Sequence, residues 1–214
     1  MKHFAYLAGV ALLAVPPLAR ADLVANVATG LDSSGNLITA DPTADANWTS
    51  PSAAAALPVF PNDADWYGGW LGNGPNSDWI ARDDNTAANG TGTYTRLFNL
   101  AGFNVSTAAI SGFWAIDDSG HVALNGKTIA SLPAGAWGAL TAFSDSNSAD
   151  FLPGVNTLTI TIDASDNFLE AVRMEGSVTA QAGSPVPEPS SLALFWLGAC
   201  LVGGYAWRRR QPVA

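Results

Sequence analysis

Residues 155–162 set the strictest limit on the fold: Leu158, Ile160 and Ile162 alternate with Thr157, Thr159 and Thr161. A period of two puts the aliphatic side chains on one face and the hydroxyls on the other, as a strand between core and water requires. A helix would scatter the same residues around its circumference. Similar runs occupy residues 94–100, 108–116, 121–130 and 171–180, with Gly, Asn, Asp or Pro between them. Asn125-Gly126 suits a tight turn with positive φ. No capped helical pattern runs for any useful length. Several short strands at roughly ten-residue spacing point to an all-β antiparallel sandwich. Residues 30–65, rich in Ala, Asp and Pro, are expected to hold one or two edge strands and long loops.

Composition agrees with a packed β domain. Hydrophobic residues make up 48% and charged residues 13%, too few charges for a disordered chain or a helical bundle. The single Cys200 has no partner for an internal disulfide. A net charge of −9 argues against nucleic acid, whose phosphates are held by basic patches.

The two ends read as addresses. At the N-terminus Lys2, an apolar run from Ala5 to Val15 and Ala19-Arg20-Ala21 have the three parts of a secretory signal peptide, with the cut expected after Ala21. At the C-terminus an apolar run from Leu192 to Trp207 precedes Arg208, Arg209 and Arg210. As a helix rising about 1.5 Å per residue it extends roughly 24 Å, enough to cross a hydrocarbon core with help from its flanks. The arginines would keep the C-terminus in the cytoplasm and the body outside. Cys200 lies within this run as a small hydrophobe.

Val186-Pro187-Glu188-Pro189, the apolar run and the arginine cluster, in that order, resemble the PEP-CTERM protein-sorting signal. The resemblance implies an exosortase as processing partner, a transient stay in the inner membrane of a Gram-negative bacterium, and a final place at the cell surface or in an exopolysaccharide matrix or biofilm. The expected organisation is a signal peptide at 1–21, a sandwich at 22–185 and a sorting segment at 186–214.

Between residues 22 and 185 there are 17 acidic and 4 basic side chains, a balance of −13. Such a body is soluble, attracts cations and avoids anionic lipid. Its landmarks, Asn47-Trp48, Ser77-Asp78-Trp79, Thr93-Tyr94-Thr95-Arg96, Trp114-Ala115-Ile116-Asp117-Asp118, Leu124-Asn125-Gly126 and Gly154-x-Asn156-x-Leu158, follow one another as in galactose-binding-like jelly rolls. That resemblance implies a jelly-roll sandwich of a kind whose relatives often bind sugars, while others are structural modules.

Catalysis would have to run through His121, the one histidine of this region, or through an acidic pair that nothing in the spacing selects. A non-enzyme is expected. Asp83-Asp84-Asn85, Asp117-Asp118 and Asp163-x-x-Asp166-Asn167 offer oxygen ligands of the type calcium takes, although Asp and Asn are also ordinary turn residues. Asp117 and Asp118 are the first candidates for a structural calcium, and no other cofactor is expected. Six tryptophans in this region exceed what such a core needs. Trp79 and Trp114 stand in strand-like contexts and read as core. Trp66, Tyr67 and Trp70, in a loop with Gly68, Gly69, Gly72 and Gly74, read as the aromatic surface on which sugar rings stack, with Arg173 on a late strand within reach. An outward-facing, salt-bridged arginine is the plainer reading of Arg173. The expected function is the holding of carbohydrate by an exported, non-catalytic matrix or surface protein. The alternative is a purely structural matrix protein without a small ligand, for which all six tryptophans would be buried.

Overall fold

The computed structural model describes residues 20–52, 54–60, 66–82, 91–164 and 168–183. The signal segment before Arg20, Asp83-Asp84-Asn85, Asp166-Asn167 and the sorting segment from Val186 onward lie outside the described residues. So do the apolar run at 192–207 and Arg208, Arg209 and Arg210.

The described residues form an all-β antiparallel sandwich of the jelly-roll type. Its strands are β1 (Ala21–Asn26), β2 (Trp48–Thr49), β3 (Leu57–Val59), β4 (Trp79–Ala81), β5 (Gly92–Asn99), β6 (Phe103–Asp117), β7 (Ser119–Leu124), β8 (Lys127–Leu132), β9 (Thr141–Asp145), β10 (Val155–Asp163) and β11 (Ala171–Ala182). One sheet has the order β3-β4-β11-β6-β9, with β1 also paired to β11, and the other runs β2-β5-β10-β7-β8. β11 is long enough to serve two neighbours along the same edge. Its Val172 pairs with Ile80 of β4, and its end from Ser177 to Gln181 pairs with β1.

The alternation that announced the fold is also what closes it. Along β10, Asn156, Leu158, Ile160 and Ile162 are buried while the intervening threonines are not. Each fully buried aliphatic side chain stabilises the fold by about 2 kcal/mol. They meet Ile110, Trp114, Ile116, Val172, Met174 and Val178 of the opposite sheet in one core, into which Trp48 and Tyr94 also pack. Trp79 and Trp114 are fully buried, as their strand contexts predict. β2 and β3 are the short strands expected within 30–65, whereas β1, β4 and β9 are too short or too irregular to stand out by alternation. Gly112 and Gly120 allow close strand contact, since a Cβ there would run into the carbonyl of Glu175 and of Thr161 respectively.

The Asn-Gly turn and the Gly-x-Asn-x-Leu landmark prove to be one device. Asn125 (φ 50°) and Gly126 (φ 83°) both take the left-handed region that a two-residue hairpin between β7 and β8 needs. The Asn125 amide then donates to Asn156 Oδ1 and to the Asp150 carbonyl, both at 2.8 Å, while its own Oδ1 accepts from the Thr157 N–H at 2.9 Å. Asn156, with no exposed surface, accepts from the Leu152 N–H and donates to the Leu152 and Gly154 carbonyls. Lys127 closes the turn with a 2.7 Å ion pair to Asp150. These residues hold loops together and contact no candidate site.

Candidate functional site

The outer face of the six-stranded sheet carries what the core does not use. On β6, Trp114 and Ile116 point into the core, so Phe113, Ala115 and Asp117 fall on the outer side. On β11, Val172 and Met174 point inward, and Arg173 and Glu175 pair across to Ala115 and Phe113. Half of this face is roofed by the glycine-rich segment and half is open.

The roof is built from the aromatic residues singled out in the sequence. Trp70 lies almost flat on Trp79, with ring centroids 4.9 Å apart and planes at 19°. Its Nε1 donates to Asp117 Oδ2 at 2.7 Å, and Trp79 Nε1 donates to the Leu71 carbonyl at 2.7 Å. Val59, Ala81, Ala115 and Ala171 complete this second apolar cluster. Arg173 clamps the segment by donating from Nε to Ser77 Oγ at 2.8 Å and from Nη1 to the Gly72 carbonyl, while Nη2 pairs with Glu175 Oε1 at 3.0 Å. Above Trp70 sits an edge-to-face layer: Trp66 at 5.5 Å and Tyr67 at 6.4 Å from Trp70, with Trp137 at 5.8 Å and Phe168 at 6.3 Å from Tyr67. Trp66, Tyr67 and Trp137 are half-buried and Phe168 is 57% exposed.

The four residues expected to contact a ligand are therefore brought together, but not as equals. Trp66 and Tyr67 present surface. Trp70, at 5% exposure, is not the surface aromatic its glycine-rich loop suggested, because the loop folds back and presses it onto Trp79. Arg173, at 3% exposure, lies on the outer face and is paired with Glu175, but it is not open to solvent: the roof covers it. Sequence reading passed over Trp137 and Phe168, which lie far along the chain and meet Tyr67 only through the fold.

Next to the roof, the open half of the face is a groove of about 1030 Å³ whose lining includes Asn26, Asn76, Ser111, Phe113, Ser144 and Glu175. Phe113 is 50% exposed. Asn76 comes from the segment that carries Trp66 and Trp70, so one loop supplies both the aromatic roof and a wall of the groove. An apolar ring among hydroxyl, amide and carboxylate groups is the lining that a polyhydroxylated chain requires. The sequence held one signal for it: once Trp114 faces the core, Phe113 must face away.

Asp117 and Asp118 are buried at the end of β6. Asp117 holds the Trp70 indole, and the Asp118 N–H donates to Glu170 Oε2 at 3.1 Å. Among the described residues no three His, Cys, Asp or Glu side chains are placed to share a metal ion. His121 is half-buried within β7, between Thr161 and Ser131 of its neighbours.

Burial raises the Asp78 carboxyl to about 6, with the Arg173 charge opposing the shift. An acid with a higher pKa in the folded state binds its proton more tightly there. Asp78 therefore favours the fold at low pH, and that contribution is lost as pH rises from about 4 through about 6. The neutral variant Asp78→Asn should remove this slope and melt above the wild type at pH 7, as thermal melts at pH 4, 5, 6 and 7 would read.

Residues 185–210 match the PEP-CTERM protein-sorting motif, so the chain carries that motif at the position its Pro-Glu-Pro, apolar run and arginines indicated. No curated protein matches the chain. Among solved structures it is similar to a family 35 carbohydrate-binding module from Cellvibrio japonicus, at 14% identity and a TM-score of 0.36, over 68% of this chain and 96% of that one. A family 35 carbohydrate-binding module from an environmental isolate gives 15% identity and a TM-score of 0.33, over 64% and 98% of the two chains. A Paenibacillus cycloisomaltooligosaccharide glucanotransferase gives 13% identity and a TM-score of 0.31, over 65% of this chain and 18% of that one.

Proposed function

We propose that the protein is exported, sorted through its PEP-CTERM tail by an exosortase, and holds polysaccharide without chemical turnover on the outer face of its six-stranded sheet. The observation that carries this reading is the pairing, on one face, of half-buried Trp66 and Tyr67 with an open groove floored by Phe113 and walled by Ser111, Ser144, Asn76 and Glu175. Aromatic edges and faces take the apolar C–H surface of a sugar ring, and the polar rim takes its hydroxyls. Trp70, Trp79 and Arg173 act beneath this surface as positioning residues. The sorting motif supports a body outside the cytoplasm, where its acidic balance favours solubility among neutral glycans.

The test is a series of neutral and acidic oligosaccharides titrated into the full chain in a mild non-ionic detergent, read by tryptophan fluorescence. Phe113→Ala should leave the melting temperature within a degree or two, since half of the ring is in water, and weaken binding about tenfold. Unchanged binding in Phe113→Ala would remove the groove from the contact surface.

A further inference from the structure

Arg96 on β5 is the other unusual cation of the sandwich. Alternation along the strand places it on the same side as buried Tyr94 and Phe98, so its side chain leans toward the gap between the sheets, where the residue is half-buried. Its Nε is shielded from water and has no hydrogen-bond partner, and Nη2 makes one long contact, 3.4 Å, to the Asn26 carbonyl. A guanidinium carries five N–H donors, and burying even one unfilled is costly.

The charges around Arg96 do not fill that fork. Among the described residues Lys127 pairs with Asp150 and Arg173 with Glu175, whereas Arg96 forms no ion pair. Its electrostatic neighbour Asp45 spends its carboxylate on the N–H groups of Gly30, Asn47 and Trp48, at 2.6, 2.7 and 3.1 Å. Asp32 accepts from Ser34 and Asn36 within its own turn. Arg96 opens onto a cavity of about 440 Å³ at the edge where β1 faces β5, and Asn26, Asp32, Ser33, Ser34, Asn47 and Asn99 also line it, with the Asp32 carboxylate engaged by its own turn. Amide and hydroxyl donors around a half-used guanidinium are the components of an oxyanion site.

We propose that this crevice binds an oxyanion, a carboxylate or a sulfate, through Arg96, at a place that shares only Asn26 with the lining of the groove on the aromatic face. The fork of the guanidinium takes two oxygens of one such group, and Ser33, Ser34 and the asparagines take the rest. Because the body of the protein is strongly acidic, an anion is drawn by this local geometry and not by a long-range field. The group can be a free small anion or a pendant acid of a polysaccharide, and the two are separable by experiment.

The experiment follows the Arg96 Nε–H resonance of the isotope-labelled full chain in non-ionic detergent, identified by its absence in Arg96→Lys, at constant ionic strength. Sodium sulfate and sodium acetate should each shift it saturably, with chloride as the baseline. A carboxylated oligosaccharide that saturates at a concentration at least tenfold below acetate marks a pendant acid as the ligand, and equal concentrations mark a free anion. Arg96→Gln should abolish saturable acetate and sulfate binding while leaving neutral-oligosaccharide binding on the aromatic face unchanged. A resonance that moves no further with sulfate, acetate or the acidic oligosaccharide than with chloride would overturn the proposal, whatever becomes of the aromatic face. The wild-type titration alone decides this, even if the glutamine variant fails to fold.

Discussion

Asn156→Ala should lower the stability of the sandwich by about 3 kcal/mol. The side chain makes four hydrogen bonds in a site with no exposed surface: from Leu152 N–H and the Asn125 amide, and to the Leu152 and Gly154 carbonyls. Each bond is worth about 1 kcal/mol net, and donors or acceptors left unsatisfied in the interior cost about 1–3 kcal/mol apiece. Alanine leaves those partners in place with nothing to bond. For a domain of this size the loss corresponds to a drop of about 10 °C in melting temperature, measurable by calorimetry. Asn125→Ala breaks the same network from the hairpin side and also loses a residue suited to positive φ. The two effects should not add, because both variants break the same Asn125–Asn156 bond.

Trp70→Ala should cost more, about 4 kcal/mol, and weaken glycan binding with it. The variant removes a ring stacked on Trp79 at 4.9 Å and leaves Asp117 Oδ2 without its indole donor. Trp→Ala changes in packed sites cost about 3–5 kcal/mol. Trp66→Ala should behave differently. Its ring is half-buried and meets Trp70 edge-on, so its removal should cost about 1 kcal/mol of stability while reducing affinity about tenfold or more. Chemical denaturation beside binding titrations of both variants separates the support from the contact surface. If Trp66→Ala destabilises the fold as much as Trp70→Ala and leaves binding intact, the aromatic layer is packing alone.

The contrast between these two residues shows how far the sequence could be read. Alternation within a strand is a local property, so residues 155–162 revealed their inward face directly, and the Asn-Gly turn followed from backbone geometry at two adjacent residues. The destination of Trp70 is not local. It depends on a loop folding over a sheet whose strands β4, β6 and β11 come from three distant parts of the chain. Arg173 illustrates the same limit: its position on the outer face follows from the alternation of Val172 and Met174, but its burial follows from a roof supplied by residues 66–78. Phe113 was legible by the same alternation, as the residue opposite in phase to Trp114. Arg96 stands in phase with Tyr94 and Phe98, and its inward direction was legible too. What alternation alone withheld was the crevice it enters.

The sorting tail was legible for the opposite reason. A sorting motif must be recognisable as an ordered run of residue types, and Pro-Glu-Pro, an apolar stretch and arginines are such a run. A surface that holds a polymer has no comparable requirement for sequence order. The groove proposed for it is lined from β1, β6, β8, β9, β11 and the roof segment.

The most direct test of polysaccharide binding on this face is the titration of wild-type chain, Trp66→Ala and Phe113→Ala with one glycan series under identical conditions. Saturable binding by the wild type, weakened about tenfold in each variant at unchanged melting temperature for Phe113→Ala, is the expected result. Binding that is absent in the wild type, or present and equally strong in both variants, would contradict the assignment of this face.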